Sequence, residues 1–132
     1  MIGLDTNVLV RYIVQDDKEQ SALATTTIEK GADREEMFYI NHIVLCELVW
    51  VLKRCYGAKP DAIGRLLEQI LRTAHFRVQD IESVWRALKE YRISAADFAD
   101  CLIAQQNRAA DCPETLTFDQ NAAKAKGFRL VA

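Results

Sequence analysis

The opening stretch MIGLDTNVLV, residues 1–10, changes its hydrophobic period around one acid. Ile2 and Leu4 begin a short extended apolar run, Asp5 interrupts it, and Val8, Leu9, Ile13 and Val14 then recur at helical spacing. The stretch predicts strand, acid, helix. A carboxylate at the carboxyl end of a strand, where a helix begins, lies in the crevice where open α/β sheets hold their ligands. Asp5 is therefore the first candidate for chemistry. The competing reading is structural: Asp5 or Thr6 serves only as the N-cap that satisfies orphan backbone N–H groups.

The rest of the chain alternates in the same way. Asp16–Lys30 reads as a surface helix, with Gly31 and Asp33 as its terminator, and Met37–Ile40 as a second strand. Asn41 then looks like the cap of a helix from His42 to Cys55. Gly57 and Pro60 separate that helix from another, Asp61–Ala74, whose Ile63, Leu66, Leu67, Ile70 and Leu71 form one apolar stripe. A minimal strand follows at Phe76–Val78, and Asp80 caps a helix from Ile81 to Tyr91. Ser94–Ala110 is helical, Thr115–Phe118 is strand, Gln120–Lys126 is a brief helix, and Gly127 precedes a final strand at Phe128–Val131. Strands alternating with helices predict an α/β class.

Three further acids stand in unusual settings. Glu47 has Ile43, Val44, Trp50 and Val51 three and four residues away, so on a helix it sits within an apolar face. An ionised carboxylate buried there would need a cation or several donors. The alternatives are an ion pair with a distant Arg or a narrow exposed strip. Asp100 lies beside Cys101, Leu102, Ile103 and Ala104 on a helix whose apolar content predicts that it is largely covered. Asp97 shares that helical face but has a structural role available, because Ser94 followed by Asp97 resembles a capping box. Asp119 ends a β-type run as Asp5 does, with a cap or turn as its competing role.

Composition narrows the classes. At 132 residues, 50% hydrophobic and 27% charged, without a low-complexity tract or internal repeat, the chain is expected to form a single domain over residues 1–132. The longest apolar stretch, Ile43–Leu52, is broken by Glu47 and too short for a bilayer, and the amino terminus lacks signal-peptide features, so a soluble, cytoplasmic protein is expected. Cys46, Cys55, Cys101 and Cys112 form no CxxC pair, and His42 and His75 lie far apart, which argues against zinc. Cys46 and Cys101 read as core filler. A net charge of −2 denies the chain a general attraction for phosphate backbones. Arg11, Lys53, Arg54, Lys124 and Lys126 could form a local basic rim or be plain solvated surface.

Four such carboxylates would repel one another if gathered without cations. Mg2+ and Mn2+ are the fitting ions, since they take carboxylate oxygen and water, and a pair of them can activate a water and stabilise the leaving oxygen of a phosphodiester. At this point the residues carry a resemblance. LDTNVLV, the Glu within VLCELVWVL, the DFADCLIA segment and the closing LTFD resemble, in order and across the whole chain, the four acidic signatures of PIN-domain proteins, particularly VapC-type toxin ribonucleases. By that similarity Asp5, Glu47, Asp100 and Asp119 correspond to the family's metal-binding acids, with Thr6 or Asn7 assisting the first and Asp97 matching an extra acid found in part of the family.

The resemblance implies a three-layer α/β/α sandwich around a mainly parallel sheet of about five strands, and a homodimer. It implies endoribonuclease activity dependent on one or two Mg2+ or Mn2+ ions. It also implies a VapB-like antitoxin partner of a toxin–antitoxin pair, through which alone DNA would be met. Two rivals stand beside it. One is a catalytically silent PIN-like binding module acting through protein association. The other is a phosphatase with an Asp nucleophile, of the haloacid dehalogenase type, which wants a second Asp where this chain has Asn7.

Overall fold

Side chains at chain reversals set where most helices begin. The structure, a computed structural model, describes residues 1–131. Asp5 holds an extended backbone, and its carboxylate accepts from the Thr6 backbone N–H at 2.8 Å, opening helix α1 (Thr6–Val14) directly after strand β1 (Ile2–Gly3). Asp17 caps α2 (Lys18–Asp33) by accepting from Gln20 N. Asn41 accepts from Val44 N between β2 (Phe38–Ile40) and α3 (His42–Tyr56). Gly57, at φ 61°, ends α3 in the left-handed conformation that a residue without Cβ adopts freely.

Further along the chain come α4 (Pro60–Arg72), β3 (Phe76–Val78), α5 (Ile81–Ile93), α6 (Phe98–Ala109), β4 (Thr115–Thr117) and β5 (Phe128–Leu130). Asp80 caps α5 with bonds from Ser83. Two expectations are corrected here. Ser94 does not open α6; it closes α5, its N–H bonding to Glu90 O at 2.9 Å, and its hydroxyl accepts from Ala96 N. Asp97 is the residue before α6 and makes no side-chain capping bond, so the capping box is absent. The brief helix expected at 120–126 is a single 3-10 turn, Ala122–Lys124.

The chain divides into two compact units, residues 1–57 with 72–79, and residues 58–71 with 80 onward. In the first, β1, β2 and β3 form a parallel ladder in that order, with Ile2 opposite Phe38 and Phe38 opposite Phe76. Its core holds Leu9, Ile28, Phe38, Ile40, Leu45 and Leu48, each at most 1% exposed. Burying Phe38 in this way contributes about 1.5–3 kcal/mol. Gly31 is not the terminator of α2, which runs on to Asp33. A Cβ at Gly31 would lie 2.5 Å from the Phe38 ring, so the glycine is what lets that ring pack against the helix. The chain then reverses through Glu35 at φ 62°.

In the second unit β4 and β5 pair in parallel, Thr115 opposite Phe128, and α5 packs along α6 with Tyr91 edge-on to Phe98 at 6.0 Å. Ile63, Leu67, Val84, Leu88, Phe98 and Leu102 are among its most deeply buried side chains. Among the described residues there are six α-helices and five strands, every strand pairing parallel. This is the α/β fold expected, with hydrogen bonding joining the strands as a ladder of three and a ladder of two. Among the described residues no helix is long and apolar enough to cross a membrane.

Candidate functional site

Thr6 is the hinge point of the first unit's acids. It is 7% exposed, fixed as the first residue of α1, and offers two donors. Its backbone N–H goes to Asp5 Oδ1 at 2.8 Å and its hydroxyl goes to Glu47 Oε1 at 2.7 Å. Two carboxylates that are 42 positions apart in the sequence numbering are thus tied to one residue (positions 5 and 47). The positive end of the α1 dipole favours both. Asp5, Thr6, Asn7, Glu47, Trp50 and Val51 line a cleft of about 280 Å3. A roomier hollow of about 470 Å3 opens at the other end of the same strands, beside Ile2, Phe38, Lys30 and Arg34, away from Asp5.

The structure corrects the setting of Glu47. The residue is exposed, not buried within an apolar face. Its neighbours Ile43 and Trp50 are 72% and 58% exposed, so an apolar strip has been left in solvent around the carboxylate. Of the four neighbours the spacing names, Ile43 and Trp50 share the exposed face with Glu47, whereas Val44 turns into the core. Helical spacing does not say what that face meets.

The acids of the second unit are held differently. Asp100, in the first turn of α6, is half-buried, and is followed by the buried Cys101 and Leu102 and the exposed Ile103. Burial pushes its carboxyl above the usual range, and the negative charges of Asp97 and Asp119 push it further. Among the described residues no donor bonds to Asp100. Asp119 is exposed and accepts from Asn121 N at 2.8 Å, while its own N–H donates to Thr117 Oγ1; this is a turn at the end of β4. Asp97 and Asp119 are the charges that Asp100 senses, so in the second unit two like charges act on one half-buried carboxyl.

The donors suit a hard divalent cation. All are carboxylate oxygens; Asp5 and Glu47 each commit one oxygen to Thr6 and, among the described residues, keep the other uncommitted. Within neither unit, among the described residues, do three His, Cys, Asp or Glu side chains gather as a ready-made metal cage. Of the cysteines, Cys101 is the buried one, its thiol pushed up to about 11 mainly by burial; Cys46 is half-buried, and Cys55 and Cys112 are exposed. Of the cations considered for a rim, Arg11 is committed to Asp16 at 2.9 Å and Gln20 at 2.8 Å. Arg54 lies over the Trp50 ring, 5.9 Å from its centroid. Trp50 is what the sequence reading missed as a site residue: it counted as one more apolar neighbour, although three residues from Glu47 on a helix it has to share that acid's surface.

Comparison with known proteins bears on the family of the chain. The sequence profile of the PIN domain matches residues 2–127. The chain is 26% identical over 128 residues to a VapC ribonuclease of Aquifex aeolicus (strain VF5), covering 97% of this chain and 93% of that protein.

Proposed function

The chain belongs to the PIN-domain family, and on that footing we propose that it is an endoribonuclease dependent on Mg2+ or Mn2+ and the toxin of a VapBC-type pair. Asp5, Glu47, Asp100 and Asp119 are the acids that hold the ions, Asp97 is a further acid, and Thr6 and Asn7 support them. The profile spans both units, which supports reading residues 1–132 as one PIN domain. RNA as substrate is in keeping with the VapC ribonuclease that the chain resembles; a VapB-like antitoxin as partner, a homodimer and a cytoplasmic setting belong to the same proposal.

The observation that carries it is the fastening of two carboxylates to Thr6 at an open cleft. One or two bound divalent ions would supply an activated water and neutralise charge at the phosphodiester. The protein's own part is positional. The Thr6 hydroxyl holds Glu47 by a charge-assisted hydrogen bond, and the Thr6 N–H holds Asp5. Asp100 brings a carboxyl whose charged form is disfavoured until a cation stands near it. No side-chain nucleophile is required.

The test is cleavage of single-stranded RNA by purified protein with Mg2+ or Mn2+, with an EDTA control and the Asp5→Asn variant. Asn caps helices as well as Asp does, so the variant folds. Loss of a metal ligand worth several kcal/mol lowers cleavage by at least about a hundredfold. Undiminished cutting by Asp5→Asn refutes the assignment; RNA left whole by the wild type under all these conditions leaves the silent binding module instead.

A further inference from the structure

We infer that Trp50, assisted by Arg54, is a stacking subsite for an unpaired RNA base beside the carboxylate cleft, a role that rests on the ribonuclease reading and narrows its substrate to single-stranded segments. Tryptophan is among the most extensively buried residue types on average, because its ring is costly to leave in water. Here the ring is 58% exposed. Ile43, Glu47, Trp50 and Arg54 follow one another at four-, three- and four-residue steps along α3, so they share one face of that helix. Trp50 also lines the cleft that holds Asp5, Thr6 and Glu47. An aromatic plane, a carboxylate site and a cation therefore lie along one strip.

Arg54 decides what kind of occupant the strip suits. Its guanidinium packs over the Trp50 ring and, among the described residues, has no carboxylate partner, whereas Arg11 is spent on Asp16. It places positive charge next to a cleft whose own charges are negative, which complements a phosphodiester entering that cleft. Every base presents a π face, and stacking on an aromatic ring tolerates any sequence. A base inside a duplex is not available for this, so the subsite selects loops and single strands. A second copy of the chain fits the strip less well, since it would cover Glu47 and strip water from its carboxylate.

The test is the affinity of a fluorescently labelled single-stranded RNA oligonucleotide for the full chain in EDTA, read by anisotropy, with sedimentation of each variant. Trp50→Ala weakens binding by about five- to a hundredfold, the range for loss of one base–aromatic stack. Trp50→Phe recovers most of it, and Arg54→Gln flattens the salt dependence. A stem-only duplex of the same sequence binds Trp50→Ala and wild type alike. Absence of binding by the wild type, or an affinity of Trp50→Ala within twofold of it, overturns the subsite. So does a fall in the mass of Trp50→Ala without a change in RNA affinity, which assigns the strip to a second copy. Because EDTA suppresses cleavage, the two readings fail separately: Trp50-dependent binding by a protein that never cuts RNA sinks the nuclease, and cutting with Trp50-independent binding sinks only the subsite.

Discussion

The two units treat their acids in opposite ways. In the first, Asp5 and Glu47 are exposed but each is anchored by a donor from Thr6, a nearly buried residue. In the second, Asp100 is half-buried, lacks a donor among the described residues, and feels Asp97 and Asp119. An anchored carboxylate in water has a fixed place and little need of a counter-charge. A half-buried carboxylate among like charges has the need without the anchor. The first unit fixes its acids in place and the second sets its acids against one another, so substitutions should separate the two effects.

The largest separable effect is expected at Thr6. Thr6→Val keeps the shape and the backbone N–H that holds Asp5 but removes the hydroxyl that holds Glu47. A hydrogen bond to a charged group contributes about 1.5–3 kcal/mol, so kcat/KM for RNA cleavage should fall roughly 10- to 100-fold. Thr6→Ser should restore it. If Thr6→Val cuts as fast as the wild type, anchoring is not what the first unit contributes.

Asp100 tests the other half. Its carboxyl titrates above the ordinary range in the folded protein, so the folded state binds more protons than the unfolded chain there. Stability conferred by this group therefore falls as pH rises from below the unfolded value through the raised folded one, and the deficit is complete above that raised value. Asp100→Asn should raise the melting temperature in EDTA at pH 7 by a few degrees and change it little at pH 3. Mg2+ should stabilise the wild type and not the variant. A variant that melts lower than the wild type in EDTA at pH 7 would show that the like charges do not oppose one another.

How much of this was legible in the sequence depended on how local each cause is. The starts of α1, α3 and α5 follow from Asp5, Asn41 and Asp80, because a cap is an interaction within one turn. The start of α6 was misread because Ser94 is claimed by the end of α5 through Glu90. Gly31 looked like a stop signal, yet its reason lies in the ring of Phe38 on the neighbouring strand. Glu47 has apolar neighbours at helical spacing yet stands in solvent, since helical spacing gives a face but not its cover. Asp100 is half-buried rather than largely covered, with Cys101 and Leu102 buried after it and Ile103 exposed.

The smallest effect is expected at another acid of the first unit, Asp16, which sharpens the comparison because its carboxyl moves in the opposite direction from that of Asp100. The Tyr56 hydroxyl donates to Asp16, and the Arg11 guanidinium does so at 2.9 Å, which together hold the carboxyl below its usual range. A depressed folded value means that the stability is present above the unfolded value and lost as pH falls through the folded one. Tyr56→Phe removes the leading donor, so acid unfolding, followed by circular dichroism, should begin at a higher pH, and the two proteins should converge at the lowest pH. The shift should be slight, because the trio lies at the surface where water and salt screen it. Should Tyr56→Phe cost more at neutral pH than Asp100→Asn gains, solvent-exposed anchoring would outweigh half-buried repulsion in this protein, and the division of roles between the units would have to be reversed.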